Sequence, residues 1–316
     1  MSEDSPEAIH LRNVMTDRLV REGRMRDARL EAAFRAVPRH LFIPKIPLRE
    51  AYGDQAILTK QIAGQPVSSI SQPSMIAIML DQLALQTGQR VLEIGAGTGY
   101  TAALMAHLVG ESGHIVTVDI DEDLVTGARA HLQAAGYDDG RVQVICGDGA
   151  SGWSAGAPYD RVILTVGATD IAPAWREQLK VGGRLVLPLD LRNNGVQFSI
   201  AFDRMDDCLI ARTFYPCGFI RLRGALAQEQ TESAADIAAG TDVGAAILSA
   251  VSQLLPHVGE QLWRRHMNRQ AFGRATLDGL LLRAYPIDTG YQAAEGEVVH
   301  DRRWTRFVVR WADAAG

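Results

Sequence analysis

An α/β fold, with a doubly wound and mainly parallel sheet carrying helices on both faces, follows from three observations. From Arg90 to Arg204 short runs rich in Val, Ile and Leu alternate with helical patterns. Such alternation joins parallel strands through crossover helices. The first of these strands runs into the densest glycine cluster of the chain, Gly95, Gly97 and Gly99. In this fold that turn brings bare backbone against a ligand. The chain of 316 residues, 47% hydrophobic and 22% charged, has the composition of a soluble globular protein with room for one domain and an accessory unit.

The elements follow in order. Residues 6–36 read as helical, with Leu11, Val14, Met15, Leu19 and Val20 on one stripe and Leu30, Ala33 and Phe34 on another. "VPRHLFIP" then breaks the helix at two prolines. A helix begins at Pro73, because proline suits the first helical position. Ser71 sits where an N-cap would, and Met75, Ile76, Met79, Leu80 and Leu83 form the apolar face. "RVLEIG", "HIVTVDI", "VQVICGDG", "DRVILTV" and "GGRLVLPL" are strands, and "QFSIAFDR" begins an antiparallel edge. Helices are expected over Tyr100–Leu108, Leu124–Ala135 and Ala172–Leu179. Beyond Gly224 the alternation stops. Ala225–Gly240 reads as a linker or frayed helix, Ala245–Leu255 and Glu260–Arg265 as helices, and "TRFVVRW" as a terminal strand. This divides the chain into a unit over 1–223 and a small α+β accessory unit over 224–316.

Composition excludes several classes. A net charge of −5 leaves no electrostatic footprint for nucleic acid. The three cysteines lack metal-ligand spacing and suit a reducing cytosol, and the eight histidines form no metal motif. No metal is expected. The polar, acidic start is unlike a signal peptide, and no apolar run approaches the ~20 residues of a membrane span. A cytoplasmic protein is expected.

The glycine turn carries the first chemical information. A dinucleotide fingerprint needs its third glycine one place beyond Gly99, where this chain has Tyr100. Glu93, within the preceding strand, is a poor neighbour for pyrophosphate. It suits a ligand with a positive amino group, such as the methionine end of S-adenosylmethionine. Asp119 ends the second strand, the position that hydrogen-bonds ribose hydroxyls. Asp148 and Gly149 end the third, where adenine could be held. Each alone is also what a turn glycine or capping aspartate looks like. At three successive strand ends they indicate S-adenosylmethionine as cofactor, with S-adenosylhomocysteine as product, and a class I methyltransferase.

"VPRHLFIP", "SISQPSMIAIM", "VLEIGAGTGYTAAL", "GDGASGW", "APYDRVILTVGA" and "QLKVGGRLVLPL", in this order, resemble the protein-L-isoaspartate O-methyltransferase family over about residues 10–222. The resemblance implies that Ser71, matching the serine of a T-I-S-Q-P motif, contacts the carboxyl group being methylated. It implies cofactor contacts at Ser68, Ser69, Ile70, Glu93, Gly95, Asp119, Asp148 and Gly149, and the glycine turn itself adds Gly97 and Gly99 as expected cofactor contacts. The chain departs from the family pattern at Ser69, usually Thr, at Ser74, usually aromatic, and at Arg221, usually proline. "SSISQPS", "CGFIRLRGA" and the C-terminal extension resemble a branch that methylates an aspartate in a cyclised ribosomal peptide. That tailoring subtype is the favoured expectation, with general repair of isoaspartyl proteins as the alternative. Either way the partner is a peptide or protein bearing Asp or isoAsp, and the ester collapses to a succinimide that reopens to aspartate or isoaspartate.

Such a reaction needs few residues. A carboxylate is ionised at pH 7 and requires no general base. Ser71 has two compatible readings, helix cap and substrate orienter. Val166, Gly167, Ala168 and Thr169 follow the fourth strand, as peptide-backbone contacts or as a packed loop. Phe219 is a wall of the substrate cleft or part of the core. Arg264, Arg265, His266 and Arg269 dock an acidic segment or form a solvated helix face. Trp263, Trp304 and Trp311 line a groove or fill the small unit's core. Two other functions compete. A small-molecule methyltransferase would need an acid–base residue, and none stands out; a non-catalytic cofactor-binding protein would tolerate loss of Ser71.

Overall fold

The structure is a computed structural model that describes residues 4–137, 140–190, 197–206 and 208–228, together with the backbone of 296–301 and 304–310. The helical N-terminal region is two helices, not one: α1 (Pro6–Arg21) and α2 (Ala28–Ala36), the second capped by Asp27, whose side chain accepts from the Arg29 N–H. A 3₁₀ turn over Arg39–Phe42 and a short α3 (Leu48–Ala51) follow. A β-hairpin absent from the sequence reading comes next, β1 (Ile57–Ile62) paired antiparallel to β2 (Gln65–Ile70). Its strands mix polar and apolar residues without a clean period of two. Helix α4 (Pro73–Leu83) starts at the expected proline.

The alternating region folds as anticipated. Its elements are β3 (Arg90–Ile94), α5 (Tyr100–Val109), β4 (His114–Asp119), α6 (Glu122–Ala134), β5 (Val142–Cys146), β6 (Tyr159–Leu164), α7 (Pro173–Gln178), β7 (Leu179–Asp190) and β8 (Gln197–Arg204). Strand β9 (Cys208–Cys217) extends the antiparallel edge, and α8 (Ala225–Gln228) follows it. The strand anticipated near the C-terminus is β11 (Trp304–Arg310), paired with β10 (Gly296–Asp301) and with β9. This part of the expected accessory unit thus continues the central sheet. The sheet order is β10-β11-β9-β8-β7-β6-β3-β4-β5, parallel from β5 to β7 and antiparallel beyond. The order reverses between β3 and β6, and ligands bind such sheets at this point, beyond the carboxyl ends of the strands.

Two apolar layers clamp the sheet. One gathers α1, α2, α4 and α5 around Phe34, Met79 and Tyr100; the other centres on Trp175, Leu187 and Phe202. Among the described residues no helix is long and apolar enough to cross a membrane, and no cluster of His, Cys, Asp or Glu is set to hold a metal ion. Trp263, Arg264, Arg265, His266, Arg269 and Trp311, with the helices expected at 245–255 and 260–265, lie outside the described residues.

Candidate active site

A cleft of about 760 Å³ opens at the carboxyl ends of the parallel strands, within the usual size of a small-molecule site. One wall is the glycine turn after β3. Gly95 has φ +101°, and a Cβ there would stand 2.8 Å from Thr165 Oγ1 and 2.9 Å from Val166 Cγ1. The turn therefore passes where no side chain fits. The Gly97 N–H donates to Asp119 Oδ2 at 2.9 Å, and Gly99 opens α5. Asp119 ends β4, lines the cleft, and has its carboxyl pushed up chiefly by burial. Gly149 lines the cleft beyond β5.

Three expected cofactor contacts sit elsewhere. Gly99 does not line the cleft but packs against α6, where a Cβ would stand 3.1 Å from Leu132 Cγ and 3.3 Å from the Ala128 carbonyl. Glu93 faces Thr117 across the β3–β4 register, is fully buried, and does not line the cleft. It supports the turn from beneath. Thr117 Oγ1 donates to its Oε2 at 2.7 Å, while Oε1 has no partner among the described residues. Burial pushes the Glu93 carboxyl up to about 8. Asp148 also stands outside the lining. Its carboxylate accepts from the N–H of Ala150 at 2.9 Å and of Ala225 at 2.6 Å, so it staples the start of α8 to the end of β5.

The opposite wall is the hairpin and the junction before α4. Ser68, Ser69, Ile70 and Ser71 all line the cleft. Ser68 is buried, with its Oγ accepting from Thr59 Oγ1 at 3.0 Å. Ser71 is not the N-cap. Gln72 holds that position without a side-chain cap bond, and Asp54 does the capping from the chain before the hairpin. Asp54 Oδ1 accepts from the Ser74 N–H at 2.9 Å, and Oδ2 accepts from Gln72 Nε2 at 3.2 Å. The Ser71 hydroxyl, relieved of capping, makes no hydrogen bond among the described residues. Its carbonyl accepts from Arg39 Nη2 at 2.9 Å, and Arg39 Nε donates to the Ala51 carbonyl at 2.9 Å. Arg39 is fully buried beside the Tyr100 ring, and burial pushes it down to about 10. The cation in "VPRHLFIP" is thus spent on backbone carbonyls.

A strap over 217–225 closes the third side and is pinned from five places at or just beyond the strand ends, one of them the Asp148 bond to Ala225. Gln197 holds Phe219 by both backbone groups, accepting its N–H at 2.8 Å and donating to its carbonyl at 3.0 Å. Gly167 donates to the Ile220 carbonyl and accepts from the Leu222 N–H, both at 2.8 Å. Gly167 thus spends its N–H and carbonyl on the strap and does not line the cleft, whereas Val166 and Phe219 do. Arg221 pairs with Asp190 at 3.0 Å. Arg223 pairs with Asp121 through two nitrogens, at 3.1 and 2.6 Å, and Lys60 of the hairpin joins the same carboxylate at 3.0 Å. Arg223 holds the Asp121 carboxyl below the usual range. Asp54, Arg39, Gln197 and the Asp121 cluster escaped the sequence reading. Only Arg39, an arginine in an apolar run between prolines, carried a local signal.

The comparisons with known proteins agree with one another. A family model described as protein-L-isoaspartate(D-aspartate) O-methyltransferase matches residues 10–227. The chain is 40% identical over 220 residues to a protein-L-isoaspartate O-methyltransferase of Hyperthermus butylicus, covering 67% of this chain and 88% of that one. It is 37% identical over 234 residues to one of Methanopyrus kandleri, covering 74% and 100%. A solved protein-L-isoaspartate O-methyltransferase superposes with a TM-score of 0.63 at 33% identity, over 68% of this chain and 67% of the other. A Plasmodium falciparum structure at 18% identity shares the fold, with a TM-score of 0.58 over 67% and 97% of the chains; it was solved with S-adenosylhomocysteine.

Proposed function

The chain belongs to the protein-L-isoaspartate O-methyltransferase family, and on that premise we propose that its cleft methylates an isoaspartyl carboxylate in proteins or peptides. It is an S-adenosylmethionine-dependent carboxyl O-methyltransferase. The observation that carries the reading is the junction of two walls: the glycine turn with Asp119, and the segment Ser68–Ser71, face one cleft.

The residues fit the cofactor. The turn at Gly95 admits no side chain, and Asp119 presents a carboxylate at the position that takes ribose hydroxyls. Gly149, Ser68, Ser69 and Ile70 complete the lining on that side, and Gly97 and Gly99 shape the turn. Asp148 and Glu93 act behind them, one as a staple, the other as support. When bound, the cofactor supplies a methyl on a positive sulfonium. The chain's own task is to hold an anionic oxygen in line with it.

Ser71 does so as a neutral donor. Charge is cancelled as the methyl moves, so exclusion of water helps, and a bare cation on the attacking oxygen would stabilise the ground state more than the transition state. Both arginines lining the cleft, Arg221 and Arg223, carry a carboxylate partner. Alignment of the reacting atoms then supplies most of the acceleration. Val166 and Phe219 wall the substrate side.

The comparisons support isoaspartyl substrates, in the manner of repair enzymes, over the tailoring subtype expected from the departures. The tailoring reading keeps one specific support: residues 228–316 lie beyond the family match, and we assign 224–316 as a unit that recognises the peptide. Mass spectrometry after incubation with S-adenosylmethionine decides. A linear isoaspartyl peptide should gain a methyl group and its aspartyl counterpart should not. Methylation of a cyclised aspartyl peptide alone would overturn the repair reading.

A further inference from the structure

Arg221 stands where the family pattern has proline, so family membership does not explain it. It lies on the substrate half of the cleft. The glycine turn, Asp119 and Gly149 follow β3, β4 and β5, whereas Arg221 bridges to Gly167 beyond β6 and pairs with Asp190, the last residue of β7. The Asp190 side chain is 1% exposed and that of Arg221 44%. A buried carboxylate needs a countercharge, and that need takes up Nη2 of Arg221. A guanidinium carries five N–H donors in a rigid fork matched to carboxylates. The others have no partner among the described residues, and Arg221 lines the cleft.

We propose that Arg221, anchored by Asp190, binds a second carboxylate of the substrate peptide, apart from the one methylated at Ser71. This rests on the isoaspartyl-peptide reading above. The second carboxylate is either an acidic side chain near the acceptor or the C-terminus of the peptide. Anchoring by a buried partner pre-orients the fork, so little side-chain freedom is lost on binding. Pairing with Asp190 also cancels the formal charge near the reacting oxygen, so the fork selects substrate without trapping the nucleophile.

The test uses C-terminally amidated isoaspartyl peptides with Glu or Gln placed at each of the two positions either side of the acceptor, and one all-Gln peptide with a free C-terminus. Binding is read by fluorescence anisotropy with S-adenosylhomocysteine present, and turnover by methyl transfer. At one position, or at the free C-terminus, the wild type should prefer the carboxylate by roughly tenfold. In Arg221→Gln that ratio should approach unity. Arg221→Lys, which keeps the countercharge to Asp190, should lose most of the preference. Affinity for S-adenosylhomocysteine reports folding of each variant. Equal binding of all peptides by the wild type, or a preference that survives in both variants, overturns the proposal. A binding preference without methyl transfer sinks the isoaspartyl reaction and leaves the subsite standing.

Discussion

Replacing Glu93 by Gln tests the buried acid beneath the glycine turn. Glu93 is fully buried against Thr117, one oxygen has no partner among the described residues, and the carboxyl is pushed up to about 8 from 4.5. The folded chain thus retains a proton that the unfolded chain releases above pH 4.5. Stability contributed by this group is present in full below that pH and is lost as pH rises toward 8. Each pH unit in that window costs about 1.4 kcal/mol, so the loss from pH 5 to pH 8 is roughly 3–4 kcal/mol. Gln has the same shape, accepts from Thr117, and does not titrate. Urea unfolding of wild type and Glu93→Gln, followed by tryptophan fluorescence without cofactor, measures the difference directly, because all other titrating groups are shared. The two curves should agree within about 1 kcal/mol at pH 5. At pH 8 the variant should be the more stable by roughly 3–4 kcal/mol. A difference that does not change with pH would mean that Glu93 is ionised throughout, and the account of its burial would be wrong.

Three further outcomes follow from the wall that carries Ser71. Ser71→Ala should lower kcat roughly 10–100-fold through lost alignment and change stability by no more than about 0.5 kcal/mol, because the hydroxyl caps nothing. Unchanged turnover with a loss near 1 kcal/mol would restore its capping role. Asp54→Ala should destabilise the chain by about 1–2 kcal/mol, the cost of a lost N-cap, seen as a lower urea midpoint at constant slope; an unmoved midpoint would show that α4 needs no cap. Arg39→Lys keeps a buried cation that cannot reach the carbonyls of both Ala51 and Ser71. It should cost about 1–3 kcal/mol of stability and lower kcat while S-adenosylhomocysteine affinity holds within about twofold, since Arg39 does not line the cleft. Parallel loss of rate and affinity would mark a general collapse instead of a misplaced Ser71.

Legibility in the sequence tracked the distance over which each feature is encoded. The strands from β3 to β8 announce themselves through apolar runs and glycine breaks, signals confined to neighbouring residues. Gly95 and Asp119 could be placed because strand ends in this fold are functional by topology. The hairpin at 57–70 could not, because its exposed, mixed-polarity strands lack a period and acquire meaning only where Ser68 meets Gly97. Gly167 and Asp148 look like ligand contacts by position, yet the strap consumes their hydrogen bonds.

What the sequence determined by itself was the layered α/β architecture, the glycine turn after β3 and the serine just before α4, since hydrophobic period, glycine spacing and proline placement act locally. Tertiary structure decided which polar groups remain free for chemistry. Asp54 caps a helix 20 residues on, Arg39 holds a carbonyl 32 residues on, and Arg223 reaches Asp121 across 102. Hydrogen-bond donors and acceptors are satisfied by whatever lies nearest in space, and spatial neighbours separated this far along the chain leave no periodic trace in it.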